Sequence, residues 1–227
     1  MAERGHFAWV LSGGRTPVEL YRLLGTRYRR TFPWAFTEVF FADERCVGPR
    51  HPDSNFGSVW ATLLSRVPIA RPRIHRLRGE LHPPSEAARQ YARLLGPIPP
   101  ASSRAPPRFD LVLLGIGADG HTASLFPGDP AVDDRRHTVR AVRRAGQPPF
   151  VPRLTLTLPA LSSGREVWFL VAGSDKAEVV RGVLRSGPKG TDRYPASRVR
   201  PPGPTRWFLD REAAAGLSPV DLGRGPA

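Results

Sequence analysis

Residues 109–114, FDLVLL, run directly into a turn holding Gly115, Gly117 and Gly120, with Asp119 and His121 between and beside them. An apolar run of this length bounded by glycines predicts a buried strand. The turn continues through Thr122, Ser124, Pro127 and Gly128. Glycines let a backbone take positive φ and approach a ligand closely. In an open parallel sheet, ligands bind outside the carboxyl ends of the strands. The plain alternative is a glycine turn with one surface histidine, but four glycines, an Asp-Gly-His step and a Thr/Ser pair converge here.

Strand-like and helix-like segments alternate along the rest of the chain, which predicts a layered α/β domain with a mostly parallel sheet flanked by helices. Residues 7–11 form a short apolar run ending in Ser12-Gly13-Gly14. Pro17 opens a helical pattern carried by Val18, Tyr21, Leu24 and Tyr28. Residues 37–42 read as a second strand ending in Asp43-Glu44-Arg45. Asp53-Ser54-Asn55 supplies N-cap chemistry for a helix to about Leu64, and Ser85-Glu86 starts another through Leu95. Residues 96–108 read as a surface connection. Residues 154–158 and 167–172 are further buried strands, and Ser174-Asp175 precede a helix over 176–184. With no internal repeat and no second composition regime, 1–227 is expected to be one domain, with its core at 7–217 and a loose tail at 218–227.

Composition narrows the function classes. No apolar run approaches the ~20 residues of a membrane span, and the N-terminal residues are too polar for a secretory signal. The lone Cys46 cannot form an intramolecular disulfide, which fits a reducing cytoplasm. The net charge of +14 invites a nucleic-acid reading, but the arginines are scattered and no basic run is interleaved with aromatics. Neither a nucleic-acid nor a membrane partner is expected. The positive field would instead steer phosphorylated small molecules. The six histidines are dispersed and Cys46 has no ligand-spaced partner, so no metal site is expected.

Other motifs fall at strand-to-helix turns. The Gly13-Gly14 turn with Arg15 and Thr16 offers backbone N–H groups to an anion. At Asp43-Glu44-Arg45, a carboxylate is placed to orient a histidine or hold a hydroxyl, and Arg45 to clamp a phosphate. Ser54 and Asn55 divide between capping and binding. Lys176, one of only two lysines, is a candidate phosphate ligand at a helix start, and Arg153 a weaker one. No Gly-x-Ser-x-Gly elbow is present, and Ser124 falls in what reads as an entering helix. A histidine acting on water is the simpler chemistry.

Taken in order, Ser12-Gly13-Gly14-x-Thr16-Pro17, Asp43-Glu44-Arg45-x-Val47, Asp53-Ser54-Asn55, the motif from Gly115 to Gly128, and Gly173-x-x-Lys176-Ala177 resemble the 6-phosphogluconolactonase family. That family lies within the group that includes glucosamine-6-phosphate deaminases, and the resemblance runs from about residue 7 to 217. Arg45 and the Thr122–Phe126 segment favour the lactonase branch; a sugar-phosphate deaminase or isomerase is the alternative. The resemblance implies hydrolysis of 6-phospho-D-glucono-1,5-lactone in the oxidative pentose phosphate pathway, a Rossmann-like fold, no cofactor, and a monomer or weak homo-oligomer. It casts His121 as general base on water and Asp43 as the group that orients it. Backbone N–H groups around Gly117, Asp119 and Gly120 would stabilise the oxyanion. The phosphate would lie among Gly13, Gly14, Thr16, Arg45 and Lys176, with Ser54, Asn55 and Arg153 completing the binding set.

Three departures stand out. The family usually has Ser where Arg15 stands. Gly48 and Arg50 occupy a loop usually richer in proline and acid. Members usually carry a strand and helix ahead of the Ser-Gly-Gly strand, so the fold is expected to lack that pair.

Overall fold

The computed structural model describes residues 5–96, 109–186 and 193–218. Most of the connection expected at 96–108, and all but the first residue of the expected tail, lie outside the described residues. The chain runs β1 (Phe7–Leu11), α1 (Val18–Thr26), β2 (Thr37–Phe41), β3 (Asp43–Arg45), α2 (Asn55–Val59), α3 (Pro84–Leu95) and β4 (Phe109–Leu114). It continues through β5 (Val139–Val142), β6 (Arg153–Leu156), α4 (Leu158–Leu161), β7 (Gly164–Val171), α5 (Ala177–Leu184) and β8 (Thr205–Leu209).

Five strands form one parallel sheet in the order β2-β1-β4-β7-β8. From β1 the chain moves outward to β2, then returns to place β4 on the opposite side of β1. That reversal leaves a crevice beyond the carboxyl ends of β1 and β4, where ligands bind in sheets of this kind. The central strands are buried on both faces; Val10, Leu11, Val112, Leu114, Val167 and Phe169 contribute to one continuous core. Their near-unbroken apolar runs are what a doubly covered parallel strand requires.

A second, antiparallel sheet, β3-β6-β5, leaves the first at Ala42. The Ala42 N–H donates to the Leu11 carbonyl, and the Ala42 carbonyl accepts from the Leu156 N–H. One residue thus ties both sheets together beside the crevice. The sequence pattern does not reveal β3, because an Asp-Glu-Arg triplet has no apolar face. Asp43 and Glu44 are nonetheless buried, their polar atoms met by other segments. The short strands β5 and β8 were likewise outside the sequence expectation.

The predicted helices form with modest shifts. Ser54 is the N-cap of α2, its hydroxyl accepting from the Gly57 N–H at 3.0 Å. The helix expected to reach Leu64 instead widens after Val59 into one π turn, Trp60–Leu64. α1 ends at Thr26, leaving Tyr28 40% exposed rather than in the core. Residues 122–125 form a tight turn closed by a bridge between Thr122 and Leu125, where a helix was expected. Ala123 takes φ 50°, a left-handed conformation that β-carbon sterics disfavour, and this aims Thr122 and Ser124 in different directions. The Thr122 hydroxyl reaches the Gly115 carbonyl at 2.9 Å, and Ser124 turns toward Asp43.

Tyr21, on the inner face of α1, also fixes the first glycine turn. The Tyr21 hydroxyl donates to the Ser12 carbonyl at 2.7 Å in a site sealed from solvent, and burial pushes its phenol above the ordinary range. Tyr21→Phe should lower the unfolding free energy by about 1–2 kcal/mol, since it leaves a buried carbonyl without its donor. Urea denaturation at neutral pH checks this; an unchanged midpoint would show the bond to be dispensable.

Candidate active site

A cavity of about 170 Å³ opens among the loops that follow β1, β2 and β4. Its walls include Gly13, Gly14, Thr16, Asp43, Arg45, Asn55, Gly117 and His121. A larger cavity of about 810 Å³ contains none of these groups. The smaller cavity is the candidate site because of the chemistry of its walls, not its size.

His121 sits in a loop that closes on itself. The Gly117 N–H donates to the His121 carbonyl at 2.9 Å, and the Gly120 N–H donates to the Gly117 carbonyl at 3.0 Å. The imidazole lies against Gly117, where a β-carbon would fall 2.1 Å from the ring, and beside Phe126 at 4.7 Å between centroids. Gly120, at φ +85°, faces Tyr194 too closely for a side chain. His121 Nδ1 is 2.6 Å from Asp119 Oδ1, which also accepts the His121 backbone N–H at 3.1 Å. A carboxylate only accepts, so the ring proton belongs on Nδ1 and the lone pair on Nε2. Burial alone would raise the Asp119 carboxyl. The ring hydrogen bond and charge of His121, its backbone N–H and Gln147 outweigh that and bring it down to about 2.

This geometry corrects the expected pairing. The carboxylate hydrogen-bonded to His121 is Asp119, two residues away in the same turn, and not Asp43. Asp43 Oδ2 accepts from the Ser124 hydroxyl at 2.6 Å, and Oδ1 accepts from Asn55 Nδ2 at 3.1 Å. Asp43 therefore joins the β2, β4 and α2 loops while lining the cavity. Ser124 is fixed in turn by Thr155 of β6, whose Oγ1 accepts the Ser124 N–H at 3.1 Å. The oxyanion assignment also changes in part, because the N–H groups of Gly117 and Gly120 are already spent inside the loop.

Glu44, beside Asp43, points away from the cavity into the start of α2. Its carboxylate accepts the N–H groups of Arg45, Asn55 and Phe56 at 2.8, 2.7 and 2.8 Å, and the Ser54 hydroxyl at 3.0 Å. Burial pushes its carboxyl up, the three N–H groups pull it back, and the Asp43 charge adds to the rise. Ser54 is thus a structural cap rather than a wall of the site. Asn55 does line the cavity, although its Oδ1 is buried against Gly13 without a hydrogen-bond partner, 1.9 Å from where a β-carbon on that glycine would fall. Only glycine fits at residue 13.

The cationic groups separate. Arg45 lines the cavity, held by Nη1 on the Asp53 carbonyl at 2.5 Å, with a buried Nε that has no hydrogen-bond partner. Its cross-strand neighbour is Arg153. Arg153 is buried and donates to the carbonyls of Gln147 and Pro149, so it backs the site without lining this cavity. Burial and the adjoining Arg45 charge push its guanidinium down. Lys176 pairs with Asp175 at 2.9 Å and does not line the cavity, nor does the exposed Arg15. The roles of Ser124, Thr155, Tyr21 and Gln147 were not foreseen. Of these only Ser124 left a trace in the motif, as half of a polar pair. Among the described residues, no cluster of three or more His, Cys, Asp or Glu could hold a metal, and no helix is long and apolar enough to cross a membrane.

The family model for glucosamine-6-phosphate isomerases/6-phosphogluconolactonase matches residues 1–207. A 6-phosphogluconolactonase of Synechocystis sp. is 38% identical over 219 residues, covering 96% of this chain and 88% of that protein. One from Streptomyces coelicolor is 37% identical over 222 residues, covering 95% and 84%. The crystal structure of 6-phosphogluconolactonase from Thermotoga maritima superposes with a TM-score of 0.77 at 33% identity, covering 92% of this chain and 87% of that one. A crevice at the strand-order reversal, a histidine held by its own loop and a match along nearly the whole chain lead to one assignment: this chain belongs to the glucosamine-6-phosphate isomerase/6-phosphogluconolactonase family.

Proposed function

We propose that the chain hydrolyses 6-phospho-D-glucono-1,5-lactone to 6-phospho-D-gluconate, the lactone-opening step of the oxidative pentose phosphate pathway. The observation that carries this reading is the Asp119–His121 pair at a cavity walled by anion donors. His121 Nε2 takes a proton from water as the water oxygen bonds to the lactone carbonyl carbon. The carbonyl π electrons move onto oxygen, giving a tetrahedral oxyanion. Collapse of that intermediate breaks the bond to the ring oxygen, which leaves with the proton from the imidazolium. Asp119 stabilises the transient imidazolium and keeps the tautomer correct, as a carboxylate does for a histidine base.

Binding rests on the remaining walls. Gly13 and Gly14 bring backbone N–H groups to the rim, and Thr16 and the Arg45 guanidinium add donors suited to the phosphate. Asn55 and the Asp43 carboxylate line the cavity and supply polar groups suited to sugar hydroxyls. The basic balance of the whole chain favours encounter with a phosphorylated substrate. Lys176 and Arg153 have no direct part in this reading.

Freshly generated lactone supplied to the purified protein should release acid faster than it does spontaneously. His121→Gln should lower kcat by ~10²–10⁴-fold with little change in the thermal midpoint. Equal turnover in the variant would remove His121 from the base role, and ammonia release from glucosamine 6-phosphate would point to the deaminase alternative.

The Asp119–His121 pair also makes a pH prediction. An Asp held near 2 in the fold, against about 3.9 unfolded, stabilises the protein above the unfolded value. That contribution fades as pH falls through the folded one. Asp119→Asn should therefore be less stable than the parent at about pH 5, by a margin that closes between about pH 4 and pH 2. A margin independent of pH over that span would mean that the contact with His121 does not hold the Asp119 carboxyl down.

A further inference from the structure

The larger cavity, about 810 Å³, falls within the ~300–1,000 Å³ range of small-molecule sites. It shares α2 with the catalytic cavity but no lining residue, for Asn55 faces one and Phe56 the other. Its walls combine two kinds of group. Phe56 and Trp60 are both only partly buried, with ring centroids 5.8 Å apart and planes tilted by 34°. The π turn that begins at Trp60 interrupts the regular helix at this wall, and such turns are frequent at functional sites.

Around the rings stand guanidinium groups. Arg71 lies over Trp60 at 5.7 Å and Arg76 over Phe56 at 5.5 Å. Arg76 is neutralised by a two-pronged pair with Glu80. Arg71 and Arg50 are exposed, and among the described residues neither pairs with a carboxylate. No Asp or Glu lines the cavity. Partly open aromatic rings next to unneutralised arginines suit a planar aromatic group that carries an anion, because the rings offer stacking and the arginines fix phosphate.

From this juxtaposition we propose that the cavity is a second binding site, distinct from the catalytic one, for a nucleoside phosphate. The base packs against Phe56 and Trp60, and the phosphate is held by Arg50 and Arg71. The inference stands whether or not the lactone is the substrate at the other cavity.

Calorimetric titration of the full chain with AMP tests it. AMP should bind one to one, and both Arg71→Glu and Trp60→Leu should weaken binding by at least about tenfold. Turnover at the catalytic cavity should be unchanged in Arg71→Glu. Adenosine alone and inorganic phosphate alone should each bind far more weakly than AMP. No AMP binding, binding indifferent to Arg71→Glu, or phosphate alone matching AMP would each overturn the proposal. So would AMP displaced by saturating 6-phosphogluconate, which would place it in the catalytic cavity. Arg71 is exposed, so its variant remains informative if Trp60→Leu misfolds.

Discussion

The buried carboxylate of Glu44 is the joint on which the rim of the candidate site depends. It collects three backbone N–H groups and one hydroxyl from residues 45 and 54–56. Those donors include the first N–H groups of α2, which would otherwise lack acceptors. The carboxylate brings a negative charge to the positive end of the helix, where it is favoured. By binding the α2 start to β3, it sets Asp43 and Arg45 on one wall of the cavity and Asn55 on the next. A neutral side chain of the same shape would give up part of that joint, because charge-assisted hydrogen bonds are roughly twice as strong as neutral ones.

From this joint, contacts pass around the rim without a break. Asn55 reaches Asp43, Asp43 reaches Ser124, and Ser124 reaches Thr155 in the second sheet. The His121 loop is thereby braced against the small sheet, while Tyr21 braces the glycine turn from below. His121 relies for its tautomer on its own turn. The surrounding carboxylate, amide and hydroxyl network shapes the space in which substrate meets it. Preorganisation of this kind is what a hydrolytic site needs, since the donors cost no rearrangement when charge develops.

Much of this was legible in the chain. The apolar runs at Phe7–Leu11 and Phe109–Leu114 predicted the central strands, and the glycines after each marked the ends where ligands gather. His121, Arg45, Asn55, Gly13, Gly14 and Thr16 were all singled out and do meet at one cavity. What the sequence concealed was partnership. Asp43 and Asp119 are equally plausible companions for a histidine until the fold assigns one to Ser124 and Asn55. The strand β3 was hidden because its charged residues are satisfied by remote segments, which no local periodicity records. Lys176 looked exceptional for its rarity, yet rarity of a residue type carries no information about its direction, and it turns to Asp175.

The central claim is that Asp119, and not Asp43, holds His121, the base proposed above. It can be tested without any turnover by proton NMR of the imidazole N–H groups in protein labelled with ¹⁵N-histidine, with the His121 signal identified by its loss in His121→Gln. The account predicts a strongly downfield Nδ1–H resonance for His121 that persists in Asp43→Asn and is lost or shifted far upfield in Asp119→Asn. A resonance that survives Asp119→Asn but disappears in Asp43→Asn would contradict it.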